Sequence, residues 1–152
     1  MTTSSTIELT NRTAGGVKPN QAIWTESARL LYAGRIEEFL TFWSADASYE
    51  AAYPVPGMPA VITGHEALRA VFGGFGAAAE TIEVRDVKFH QTADPAVAIV
   101  EERMFARLRD GGTYENRMII RVTFRDGLIA SMFEYYGELA HRELLQRLGF
   151  TH

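Results

Sequence analysis

The sequence predicts an α+β domain in which helices pack on one face of an antiparallel sheet. The order of elements gives this first: helices, a strand and a further helix come before a run of alternating strands, and a last helix closes the chain. The turns give it second, because Asp110-Gly111-Gly112 and Asp126-Gly127 each sit between alternating strands and mark hairpins. Size gives it third. A chain of 152 residues with 47% hydrophobic content suits one domain with a real core.

The elements follow in order. Residues 1–18, "MTTSSTIELTNRTAGGVK", are rich in Thr, Ser and Gly and are expected to form a flexible tail; a single domain is expected over 19–150. From Pro19, Ile23, Trp24, Ala28 and Leu31 recur at helical spacing, and Gly34 breaks the pattern. Ile36, Phe39, Leu40 and Trp43 show the i, i+3, i+4, i+7 pattern of a second helix. "DASYEAAYP" reads as a strand ended by the loop Pro54–Pro59. A third helix follows Gly64 with Leu68, Val71, Phe72 and Phe75 on one face, stopped by glycines. "TIEVRDVKFHQ" alternates, but its apolar parity slips between Val84 and Val87, which predicts a bulge. Three more strands are expected in "AVAIVEERMFARLR", "TYENRMIIRVTF" and "LIASMFEYYG". The last helix carries Leu144, Leu145 and Leu148, with Gly149 as its cap.

Composition narrows the function. The net charge of −4, with no basic cluster, argues against a nucleic-acid partner. No apolar run approaches the ~20 residues of a membrane span, and the N-terminus lacks the apolar core of a secretory signal. The absence of cysteine removes disulfides and thiolate metal sites and fits a reducing cytoplasm. His65, His90, His141 and His152 show no ligand spacing, so no metal and no cofactor are expected. His141 is expected at the surface.

Strand parity places the chemistry. In "ASMFEYYGE", Met132, Glu134 and Tyr136 share one face, so a carboxylate stands among apolar and aromatic neighbours. On the preceding strand Tyr114, Asn116, Met118, Ile120, Val122 and Phe124 form the inner set, whereas Glu115, Arg117, Ile119, Arg121, Thr123 and Arg125 face outward. On the 96–109 strand Val97, Ile99, Glu101, Arg103 and Phe105 are one candidate inner set. Alternation alone does not settle that strand, since Ala98, Val100 and Met104 are apolar too. With that choice, Glu134, Arg103, Glu101, Asn116 and Tyr114 share one cavity, the usual form of a small-molecule site. Ile129, Phe133 and Tyr135 face away and are expected to form a homodimer surface.

The stretches "FWSADASYEAAYPVPGMPAVITGHEALRAVF" and "YENRMIIRVTFRDGLIASMFEYYGELAHRELLQRLG" resemble SnoaL-like members of the nuclear transport factor 2-like superfamily. The second is similar to the phenazine-biosynthesis PhzA/PhzB proteins. The resemblance spans about residues 20–149 and implies a cone-shaped, curved antiparallel sheet with helices on its concave face, enclosing a deep pocket. It places Glu134 where the PhzA/PhzB proteins carry an acid/base glutamate and where limonene-epoxide hydrolase has an aspartate. Arg103 matches that hydrolase's arginine and Tyr49 its water-binding tyrosine, but Phe105 and Ala51 replace its second aspartate and its asparagine. The ketosteroid isomerase base falls near Ala51, and the histidine of PhzA/PhzB falls near Val71.

These departures count against each of the three named activities. They leave Glu134 and Arg103 as the candidate catalytic pair. Tyr49, Tyr53, Asn116, Tyr114, Met118, Met132, Phe105 and Trp43 are the candidate substrate-binding residues. The reading is a cofactor-free acid/base enzyme of isomerase, cyclase or epoxide-opening type, acting on a small apolar cyclic intermediate. The alternative is a non-catalytic ligand-binding or dimerisation module of the same fold.

Overall fold

The structure, a computed structural model, describes residues 19–149; the expected tail over 1–18 lies outside the described residues. Four helices and six strands appear in the order α1 (Asn20–Tyr32), α2 (Ile36–Leu40), β1 (Trp43–Ala51), β2 (Val61–Thr63), α3 (His65–Ala78), β3 (Ala79–Gln91), β4 (Val97–Leu108), β5 (Thr113–Arg125), β6 (Leu128–Tyr136) and α4 (Glu138–Arg147). The strands form one open sheet in the order β2-β1-β6-β5-β4-β3.

Neighbouring strands are antiparallel except at β1 and β6, which pair in parallel. The sheet is therefore mixed, where a wholly antiparallel one was expected. Chain order explains this. The strands from β3 to β6 are joined by short turns, whereas β1 and β6 are separated in the chain by β2, α3 and three further strands, which leaves room for a parallel pairing. The Asp126-Gly127 turn behaves as the sequence predicts, with φ of 54° and 73° at its two residues. That left-handed pair matches the twist of a two-residue hairpin.

Register shifts in β1, β3 and between β5 and β6 bend the sheet around its helices. The bulge expected between Val84 and Val87 is present, with the pairing shifting between Arg85 and Lys88 and Asp86 at φ 55°. Two expectations fail at the other shifts. Trp43 does not end α2 but opens β1, because α2 runs only to Leu40 and the ring, 2% exposed, meets the core from the strand. Ile129, expected on the outer face, is fully buried: Phe124 pairs with Ile129 but Thr123 with Ser131, so Ala130 is an extra residue that reverses the parity.

The third helix also runs through its glycines to Ala78 rather than stopping at them. The core lies between the concave sheet face and α1, α2 and α3, with Phe39, Leu40, Leu68, Val100, Ile120 and Val122 each at most 2% exposed. Among the described residues no helix is long and apolar enough to cross a membrane.

Candidate active site

The cone is not filled. A cavity of about 370 Å³ opens among the helices and the concave sheet face, within the usual range of roughly 300–1,000 Å³ for small-molecule sites. Trp43, Tyr49, Tyr114, Met118, Met132 and Glu134, all expected there, line it. Glu134 is aimed inward by the parity of β6, which it shares with Met132 and Tyr136 beyond the bulge. Its Oε1 accepts a hydrogen bond from the Tyr49 hydroxyl at 3.2 Å. The register places Ala51 of β1 beside Glu134 and so brings Tyr49, two residues earlier on the same face, within reach.

Burial raises the Glu134 carboxyl to about 7, and the Tyr49 hydroxyl opposes the rise. Burial, followed by the charge of Glu134, pushes the Tyr49 hydroxyl well above the ordinary phenol value. Tyr49 therefore acts as a hydrogen-bond donor and not as a base. A carboxyl that is half ionised near neutral pH can both take and return a proton.

Five residues expected at the site lie elsewhere. Arg103 and Phe105 are on the convex face of the sheet, because β4 turns its other parity inward: Ala98, Val100, Glu102, Met104, Ala106 and Leu108 are all buried. The Arg103 guanidinium donates to Glu115 at 2.9 Å and to Asp86 at 3.4 Å and lies 5.2 Å from the Phe105 ring centroid. Glu101 shares that face and meets His90 at 2.7 Å. Tyr53 is half exposed, with its ring 6.3 Å from that of Tyr135. Asn116 is buried behind the cavity. Its Nδ2 donates to the Tyr114 hydroxyl at 2.6 Å and to the Gly137 carbonyl at 3.2 Å, and its Oδ1 accepts from the Gly137 N–H at 2.6 Å.

The same parity change brings in Glu102, which the sequence reading omitted. It is 4% exposed, lines the cavity, and accepts a hydrogen bond from the Tyr32 hydroxyl at 3.3 Å. Burial and then the charge of Glu134 push it up to about 8, against the Tyr32 hydrogen bond. A signal for it existed: over residues 97–108 the even set holds one charged residue, Glu102, and the odd set holds three, Glu101, Arg103 and Arg107. The set with fewer charges belongs inside.

His141, expected at the surface, also lines the cavity; its ring packs 4.3 Å from that of Tyr136, and burial lowers its pKa. Glu134 and Glu102 therefore face one apolar space from different strands, each held by one tyrosine hydroxyl. Among the described residues no cluster of His, Asp and Glu side chains has the form of a metal site.

Comparison with known proteins agrees with this architecture. A Mycobacterium tuberculosis protein in complex with estradiol-17β-hemisuccinate superposes at TM-score 0.71 and 22% identity, covering 80% of this chain and 96% of that one. An epoxide hydrolase/cyclase-like enzyme, described for its role in pyran ring formation in the polyether salinomycin, superposes at 0.67 and 18% identity, over 79% and 92% of the two chains. A phenazine biosynthesis-related protein from Pseudomonas aeruginosa superposes at 0.62 and 17% identity, over 91% and 90%. These likenesses show a shared fold. No curated protein matches the chain. The model of the SnoaL-like domain matches residues 24–132, ending two residues before Glu134, and the chain belongs to that family.

Proposed function

We propose that the protein is an acid/base enzyme acting on a small apolar, cyclic molecule, with Glu134 transferring the proton. The observation that supports this is the inward Glu134 carboxyl, raised to about 7, in an apolar cavity of about 370 Å³. Tyr49 orients Glu134 and favours its ionised form, so the base is regenerated near neutral pH. Trp43, Tyr114, Met118 and Met132 wall the space and exclude water. A positioned general base contributes about 10²–10⁴-fold, and substrate orientation in a dry cavity supplies further acceleration. Arg103 has no part in this step, since its charge is spent on Glu115 and Asp86 across the sheet.

Glu134→Gln tests the reading, because it keeps size and hydrogen bonding but removes the base. Hydrogen–deuterium exchange at the carbon beside the carbonyl of a bicyclic ketone reports proton abstraction without a known substrate. The expected result is a loss of about 10²–10⁴-fold in protein-catalysed exchange, with affinity retained. Both tryptophans, Trp24 and Trp43, line the cavity, so quenching of their emission reads affinity independently. Equal exchange by both proteins would leave the second reading, a ligand-binding module, which the steroid-bound neighbour of the same fold favours.

The convex face supports a homodimer. Ile119 and Tyr135 are 48% and 42% exposed there, and the Tyr135 ring sits 4.9 Å from that of Phe133. Apolar groups on the open face of a sheet are the usual material of a symmetric interface.

A further inference from the structure

The charges around the cavity are one-sided. Its lining includes Glu134 from β6 and Glu102 from β4 and, among the described residues, no lysine or arginine. The remaining titratable groups that face it are Tyr32 from α1, Tyr49 from β1, Tyr114 from β5, Tyr136 from β6 and His141 from α4. Several arginines pair with carboxylates away from the cavity, Arg69 with Glu37, Arg85 with Glu83 and Arg147 with Asp110.

Each of the two carboxyl groups accepts one hydrogen bond, Glu134 from Tyr49 and Glu102 from Tyr32, although a carboxylate can accept about four. Acceptor capacity remains available to an incoming molecule, and negative charge joins it as the pH rises through about 7 and 8. Aromatic rings share the lining: Trp43, Tyr49 and Phe72 form a packed group, with Trp43 and Phe72 centroids 5.9 Å apart and Tyr49 and Phe72 5.6 Å apart. Ring faces attract a cation, most of all where water is excluded.

We propose that the cavity selects an apolar organic cation, such as a protonated cyclic amine, with its positive centre facing Glu134 and Glu102 and its hydrocarbon against the Trp43 and Phe72 rings. The inference rests on the acid/base reading of the same cavity and names the charge class of the substrate. It also suits that chemistry. When Glu134 removes a proton from a substrate carrying a cationic group, the charge left on the substrate is balanced within it, so the site needs no cationic side chain of its own. Among the described residues, an anionic molecule would meet two carboxyl groups and no lysine or arginine.

Two bicyclic ketones of matched shape provide the test: tropinone, whose bridge nitrogen is protonated near neutral pH, and its carbocyclic counterpart bicyclo[3.2.1]octan-3-one. Quenching of the tryptophans gives affinity for each, and deuterium exchange beside the carbonyl gives proton transfer. Tropinone is expected to bind roughly 10- to 100-fold more tightly at pH 8, as a charge facing partly buried carboxylates should. The preference should shrink at pH 5.5, where both carboxyls are protonated, and should fall in Glu102→Gln at pH 8.

Equal or tighter binding of the carbocycle at pH 8 overturns the inference. If exchange of the carbocycle then still depends on Glu134, the acid/base reading stands without it. If neither ketone quenches the emission nor exchanges in a Glu134-dependent way, both readings fall.

Discussion

At the scale of single residues, the carboxyls of Glu134 and Glu102 decide how the protein responds to pH. Both are raised from the ordinary value of 4.5, to about 7 and about 8, chiefly by burial. The folded protein therefore holds protons that the unfolded chain releases, and this favours folding below pH 4.5. The contribution is lost as the pH rises through about 7 and 8. Glu102→Gln, neutral at every pH, should flatten the decline and raise the melting temperature at pH 9 while changing little at pH 5. Parallel melting curves across that range would contradict the assignment. Tyr49→Phe should act on the neighbouring group in the opposite sense: without the hydroxyl that favours the carboxylate, Glu134 titrates higher, and the acid limb of the exchange rate moves up in pH. An unmoved limb would mean that Tyr49 only fills space.

At the scale of elements, Tyr114 and Met118 were legible because clean alternation on β5 leaves only one inward face, and Met132 and Glu134 because β6 keeps a single parity beyond its bulge. Arg103 and Phe105 were misplaced because β4 is apolar on both parities, and only the number of charges on each distinguishes them. Ile129 was misplaced because one unpaired residue reverses a strand without any mark in its periodicity. Trp43 fitted a helical repeat that α2 is too short to use. Asn116 was read as a ligand contact, but its amide joins β5 to Gly137, the residue just before α4. Since α4 contributes His141 and Leu144 to the cavity wall, this clamp sets where the wall stands. Asn116→Ala strands the Gly137 N–H at a cost of about 1–3 kcal/mol, which for a chain of this size lowers the melting point by roughly 2–4 °C per kcal/mol. It should also weaken quenching by either bicyclic ketone. A variant that melts and binds like the parent would show that α4 is held by its other contacts.

At the scale of the whole molecule, the curved sheet does two opposite things with its faces. The concave side keeps carboxyls and aromatic rings around an open cavity, and the convex side gathers arginine pairs around an apolar centre at Ile119 and Tyr135. If that centre joins two copies, Ile119→Lys should shift the sedimentation coefficient from dimer to monomer while leaving ketone binding intact. A parent that already sediments as a monomer would refute the interface. The central claim concerns the concave side, that Glu134 is an enclosed carboxyl poised near neutrality, and carbon-13 NMR of labelled glutamate side chains tests it most directly. One carboxyl titrating near pH 7 in the parent and missing from Glu134→Gln is the expected result. A full set of glutamates titrating near 4.5, unchanged apart from one lost signal in the variant, would contradict it.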